Sequence, residues 1–152
     1  MKRFTFSLQT IHNVRLAQRE IEEQELSRLQ MAANALTAQL QQLTAERQRL
    51  AETYASRLQQ GVIDPVEAGL NTSYLGALLQ RERELQTQLA QAESHVTHQR
   101  QRLIAAERDF EVTARLRAQQ RERHQFEANR AEQNALDEMA TLSNARRIHN
   151  LR

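Results

Sequence analysis

"QGVIDPVEAGLNTS", residues 60–73, decides how this chain folds. Gly61 suits the left-handed residue that closes a helix, because it has no Cβ to clash there. Asp64-Pro65 reads as an N-cap followed by proline at the first helical position, where a backbone N–H is not needed. Gly69 and Asn71 predict a second interruption, hence a short helical turn between two long helices. The chain has only three glycines and one proline, and this stretch holds two of those glycines and the proline. It is the one place where the backbone reverses cheaply.

On either side the composition is that of a helix. Ala, Leu, Gln, Arg and Glu make up 97 of 152 residues, and all five favour helices, whereas strand-forming β-branched and aromatic residues are scarce. The hydrophobic fraction of 39% lies below that of an ordinary globular domain, which argues for a narrow seam and not a deep core.

The seams are legible. Before the turn, Leu26, Leu29, Ala33, Leu36, Leu40, Leu43, Arg47, Leu50 and Tyr54 follow one another in steps of three and four, a heptad pattern. Leu8, Ile11, Gln18 and Glu22 extend it upstream. Phe4, Phe6 and Leu8 alternate, so residues 1–6 are expected extended, with helix one starting at Ser7 or Thr10. After the turn, Leu75, Leu78, Glu82, Leu85, Leu89, Ala92, Val96, Gln99, Leu103, Ala106 and Phe110 form a matching stripe. Two such seams joined by one turn predict an all-α fold: an antiparallel coiled-coil hairpin of two long helices, the second longer and overhanging. The expected bounds are helix one ~7–60, turn ~61–72 and helix two ~73–147, in a single domain spanning 1–152. Folding about residue 65 pairs Tyr54 with Tyr74, Leu50 with Leu78, Leu36 with Ala92 and Leu26 with Leu103.

Helix one then runs out near Met1, opposite a residue around 130, leaving the last ~20 residues without an intramolecular partner, an overhang of about 30 Å. Within it Ala128, Ala131, Ala135, Met139 and Leu142 recur at helical spacing, with Leu136, Asp137 and Glu138 among them. An apolar helical face with nothing in its own chain to cover it is built for a partner. Near the turn, Leu50, Tyr54, Tyr74 and Leu78 form a second candidate patch, since paired aromatics are large for a two-helix seam.

The chemistry points away from catalysis. There is no cysteine, hence no disulfide and no thiolate. Glycine-rich phosphate loops and an HExxH are absent, and carboxylates on exposed helical faces normally serve arginines nearby. No cofactor is implied. His95 and His98 are too few for a structural zinc site. "RLRAQQRERHQ", residues 115–125, is basic, but no aromatic is interleaved to stack on bases; an acidic protein surface suits it better than nucleic acid. The terminal arginines Arg146, Arg147 and Arg152 also complement a helix C-terminus. No signal peptide or membrane span is recognisable, and a net charge of +2 is too small to imply nucleic acid or lipid.

The segments FTFSLQTIHNVRLAQREIEEQELSRL (4–29), SYLGALLQRERELQTQL (73–89) and EQNALDEMAT (132–141) resemble the flagellar FliJ family. The resemblance covers nearly the whole chain; the "LDEMA" piece is the most distinctive, and members vary widely elsewhere. It implies a component of flagellar type III protein export, similar to the stalk of rotary ATPases. Such a stalk inserts its terminal end into the hexameric export ATPase and promotes its assembly and ATP hydrolysis. It also contacts the cytoplasmic domain of the export gate through the region near the turn, and binds export chaperones. By position, Leu136, Asp137 and Glu138 match the family's terminal motif, and Tyr74 and Leu78 its aromatic and leucine after the turn. With the stripe of Ala128, Ala131, Ala135, Met139 and Leu142 the first set is the expected ATPase contact, and with Leu50 and Tyr54 the second is the expected gate contact. It implies a non-enzymatic monomer without nucleic acid or membrane insertion, cytoplasmic and peripherally associated with the inner membrane at the export apparatus. A scaffold dimerising through the overhang, and the equivalent stalk of a needle-type secretion system, remain alternatives.

Overall fold

The structure, a computed structural model, describes residues 4–61 and 63–149. Those residues form two helices, α1 (Gln9–Gln59, 51 residues) and α2 (Pro65–His149, 85 residues), and no strand. The helices make an antiparallel hairpin with the second the longer.

Local signals set the ends. Phe4, Thr5 and Phe6 are not helical, and the Gln9 N–H donates to the Phe6 carbonyl at 3.1 Å to start α1 between the two expected positions. Residues 1–3 of the expected extended segment, and Arg152 at the other end, lie outside the described residues. At the close of α1 the Gln60 N–H donates to Ser56 and the Gly61 N–H to Leu58, both at 3.2 Å. Gly61 takes a φ of 70°, the conformation that glycine adopts without strain.

The start of α2 corrects the expectation. The helix begins at Pro65, well before residue 73, and runs unbroken through Gly69 and Asn71. The Ala68 N–H already reaches the Asp64 carbonyl at 2.9 Å, and the Val66 N–H points at Asp64 Oδ1 at a long 3.4 Å. A glycine inside a helix costs only about 1 kcal/mol relative to alanine. The Asp64-Pro65 start and an ion pair between Arg57 and Glu67 hold this turn against that cost.

The described residues gather into two compact units. The turn unit is Glu20–Ile104; the terminal unit joins the residues up to Arg19 with those from Ala105 onward. In the turn unit the predicted seams are the covered stripes. Ala33, Leu78, Leu85 and Val96 are buried, and Leu26, Leu29, Leu36, Leu40, Leu43 and Leu50 are half-buried. A leucine gains about 1.5–3 kcal/mol on full burial, and a two-helix seam delivers part of it, because each side chain keeps one open side. Thr37, Thr53, Thr72, Thr87 and Thr97 each donate to the carbonyl four residues earlier, which keeps their hydroxyls satisfied within a helix.

Polar seam positions answer one another. Glu82 accepts from Arg47 Nε at 2.7 Å and Thr44 Oγ1 at 3.0 Å. Glu22, only 4% exposed, accepts from Gln99 Nε2 at 2.6 Å and from Arg102 at 3.0 Å. Buried polar positions of this kind fix the register of a coiled coil. These bonds place the register less than one helical turn from the expected pairing of Leu26 with Leu103. The reversal is centred on residues 60–64, since Pro65 already belongs to α2.

In the terminal unit the expected upstream seam is also corrected. Ile11 and Gln18 stand exposed, and His12, Arg15 and Arg19 occupy the inner positions instead. Steps of four and three from Leu8 through His12, Arg15, Arg19 and Glu22 keep the heptad unbroken, and the apolar Ile11 draws the expected stripe one residue aside.

Candidate functional site

The terminal unit is organised by an aromatic layer. Phe6 and His12 are buried, and the His12 ring stacks on Phe110 at 5.1 Å and meets Phe6 edge-on at 6.3 Å. Thr113 donates its single hydroxyl proton to the Phe110 carbonyl at 2.8 Å. Its oxygen therefore accepts from His12, whose Nδ1 lies 3.2 Å away, and this fixes the imidazole tautomer with the proton on Nδ1. The Arg19 guanidinium lies 4.9 Å over the other aromatic neighbour, the Phe110 ring, a cation–π contact. Its Nε is buried without a hydrogen-bond partner among the described residues. Arg15 donates to the Asp109 carbonyl at 2.8 Å. None of these polar residues was singled out from sequence; heptad continuity through Leu8 and Glu22 was the available signal.

Beyond this layer α2 outruns α1. Phe4 packs edge-on against His124 at 5.6 Å. An open groove of about 900 Å³ lies beside that pair, with Thr5, Ala128, Ala131 and Ala135 in its wall. The first part of the alanine stripe thus shares a groove with the chain's own amino-terminal residues, and Ala128 is half-buried. Residues 129–144 are all exposed. Leu136, Met139 and Leu142 stand 61%, 67% and 61% exposed, and Phe126, just before that segment, 67%. Asp137 and Glu138 are exposed too. The Asp137 carbonyl accepts from Thr141 at 2.7 Å, and its carboxylate is 3.5 Å from Gln133 Nε2.

In the turn unit the four residues of the second patch divide. Leu78 is buried, Leu50 and Tyr54 are half-buried, and Tyr74 is exposed. Tyr74 does not turn its hydroxyl toward Tyr54; it donates to Glu46 Oε1 at 2.8 Å. The Glu46 carboxylate accepting that bond holds the Tyr74 phenol above its ordinary pKa. Tyr74 and Leu50 share a shallow groove of about 570 Å³ with Ala45, Arg49 and Thr53. Tyr54 belongs to the seam and not to that groove.

Among the described residues no group of three or more His, Cys, Asp or Glu gathers into a metal site; His95 and His98 are both exposed. No helix among them is long and apolar enough to cross a membrane. Among the described residues the arrangement offers open grooves and exposed apolar stripes.

No curated protein and no solved structure matches the chain. The model of the family described as "Flagellar FliJ protein" matches residues 4–148, the helical hairpin from Phe4 almost to its last described residue, and the chain accordingly belongs to the flagellar FliJ family, with a function related to flagellar export.

Proposed function

We propose that this protein is the stalk of the export machinery, seating the end of α2 in the central hole of the hexameric export ATPase, promoting its assembly and ATP hydrolysis. The family is one of non-enzymatic export components, and the stalk carries no nucleotide chemistry of its own. The observation that supports the reading is the exposed segment 129–144 with Leu136, Met139 and Leu142 uncovered. Single helices with bare leucines lose about 25 cal/mol of stabilisation for each Å² left in water, and a protein sleeve restores it. Ala128, Ala131 and Ala135 let a wall approach closely, Met139 adapts to an irregular one, and Asp137 and Glu138 meet basic loops.

On the same reading the groove at Tyr74 and Leu50, with Tyr54 and Leu78 behind it, docks the cytoplasmic domain of the export gate. Export chaperones bind the hairpin, and the protein works in the cytoplasm at the inner membrane as a monomer. Deleting residues 128–152 tests the central claim. Helicity by circular dichroism is expected to persist while ATPase association and stimulation vanish. Undiminished association after that deletion sinks the stalk reading. A dimer that falls to monomer on the same deletion favours the scaffold instead.

A further inference from the structure

The inner stripe of α2 changes its cover along the terminal unit. Phe110 and Thr113 meet His12 of α1. Continued in steps of four and three, the same stripe runs through Arg117, Gln120, His124, Glu127 and Ala131. Helix α1 begins only at Gln9, and in its place lie Phe4, Thr5 and Phe6, which are not helical. Phe6 is 7% exposed and meets His12 edge-on. Phe4 meets the His124 ring at 5.6 Å, and His124 is the one residue of 115–127 that is not exposed. The non-helical segment thus continues the cover that α1 begins. It ends in the wall of the groove that holds Ala128, Ala131 and Ala135.

The outer part of this cover can lift without unfolding a helix. Phe4 and Thr5 precede the bond from the Gln9 N–H to the Phe6 carbonyl that starts α1, so raising them leaves the helical ladder and buried Phe6 in place. Thr5 is exposed and Phe4 half-buried, and an edge-on ring pair such as Phe4–His124 shifts a population by only about two- to tenfold. A wall that packs closely on Ala128 and Ala131 needs the space that Phe4 and Thr5 border. We propose that Phe4 and Thr5 form an autoinhibitory strap, closed on the inner face of α2 beside Ala128 and Ala131 and displaced when a partner takes that face. The proposal rests on the reading of this stripe as the contact with the export ATPase, and it adds a competitor from within the chain. Strap closure and ATPase binding exclude each other, so each weakens the other by the same factor.

The test uses the full chain and the hexameric export ATPase. Thr5→Cys with Gln120→Cys, both exposed residues of the groove wall, places two thiols in a chain that has no cysteine. A short bismaleimide carrying a cleavable disulfide joins them while the strap is closed. Joining is expected to be efficient in the free chain, slower with Phe4→Ala added, and slower again when ATPase is present. The joined chain should bind ATPase about tenfold or more weakly than the same chain after cleavage. Phe4→Ala alone should bind about two- to tenfold more tightly than the unaltered chain, with helicity unchanged. Equal affinity before and after cleavage, or weaker binding by Phe4→Ala, overturns the strap and leaves the stalk reading standing. Failure of every form to bind, the Phe4→Ala chain included, overturns both, so the two failures are told apart.

Discussion

The turn unit and the terminal unit are made by the same two helices, yet different chemistry fills them. In the turn unit leucines supply the seam and the polar positions close on each other as Glu22–Gln99–Arg102 and Thr44–Arg47–Glu82. In the terminal unit the inner positions of α1 go to His12 and Arg19, which lie against Phe110, and to Arg15, which bonds the Asp109 carbonyl. Charge divides likewise. The terminal unit has 13 Lys and Arg against 8 Asp and Glu, the turn unit 8 against 11, together the chain's 21 and 19. A net charge near neutrality conceals a basic region and an acidic one. The lesson is that aliphatic burial holds one unit and aromatic stacking with cations holds the other, and the two units carry opposite net charge.

That contrast is open to breaking. Leu85 is 4% exposed, so Leu85→Ala is expected to cost about 2–4 kcal/mol by denaturant titration, with the loss of amide protection concentrated in residues 20–104. Phe110 is half-buried, and Phe110→Ala should cost about 2 kcal/mol, with the loss concentrated at residues 9–19. If both variants strip the same amides equally, the two units are one cooperative body and the contrast is only compositional. Glu82→Ala leaves Arg47 and Thr44 without their acceptor and should cost about 1 kcal/mol; Glu82→Leu should recover most of that, since apolar packing often replaces such a pair without loss.

The smallest effect concerns Tyr74. Its phenol is held above the ordinary value by the Glu46 carboxylate, so the folded state favours the protonated form. The stabilisation from this bond is complete below the unfolded phenol pKa and disappears as pH rises through the higher folded one. Ultraviolet titration of a Tyr54→Phe chain should show the remaining tyrosine ionising late, and Glu46→Ala should bring it back. An unmoved curve in Glu46→Ala would mean that the bond does not form in solution.

Much of the fold was readable because leucine spacing reports a seam directly. Every residue predicted for the inner stripe from Leu26 to Tyr54 and from Leu75 to Phe110 is buried or half-buried. The turn was found through Gly61, whose left-handed backbone is as expected. The early start of α2 was not readable, because the helix-breaking character of Gly69 and Asn71 is outweighed by the Asp64-Pro65 start and the Arg57–Glu67 ion pair, whereas the register lies within one turn of the pairing that the seams predict. Likewise His12, Arg15 and Arg19 hold inner positions that apolar character does not mark and that only the unbroken heptad from Leu8 to Glu22 assigns. The exposed stripe of α2 was visible in advance only as spacing; that Phe4 and Thr5 share a groove with its first alanines depends on a segment with no helical period to read.

The distance along the chain between partners also orders the way the hairpin closes. Arg57 and Glu67 are separated by 10 residues, His12 and Thr113 by 101. Each doubling of a loop adds only about 0.6 kcal/mol to its closure, but distant contacts form late because nearer ones must first bring them together. The molecule therefore closes as a zipper from Gly61 outward. During synthesis the acidic half completes itself while the basic half still awaits the rest of α2, and on unfolding the order reverses, so the aromatic layer is also the first to loosen.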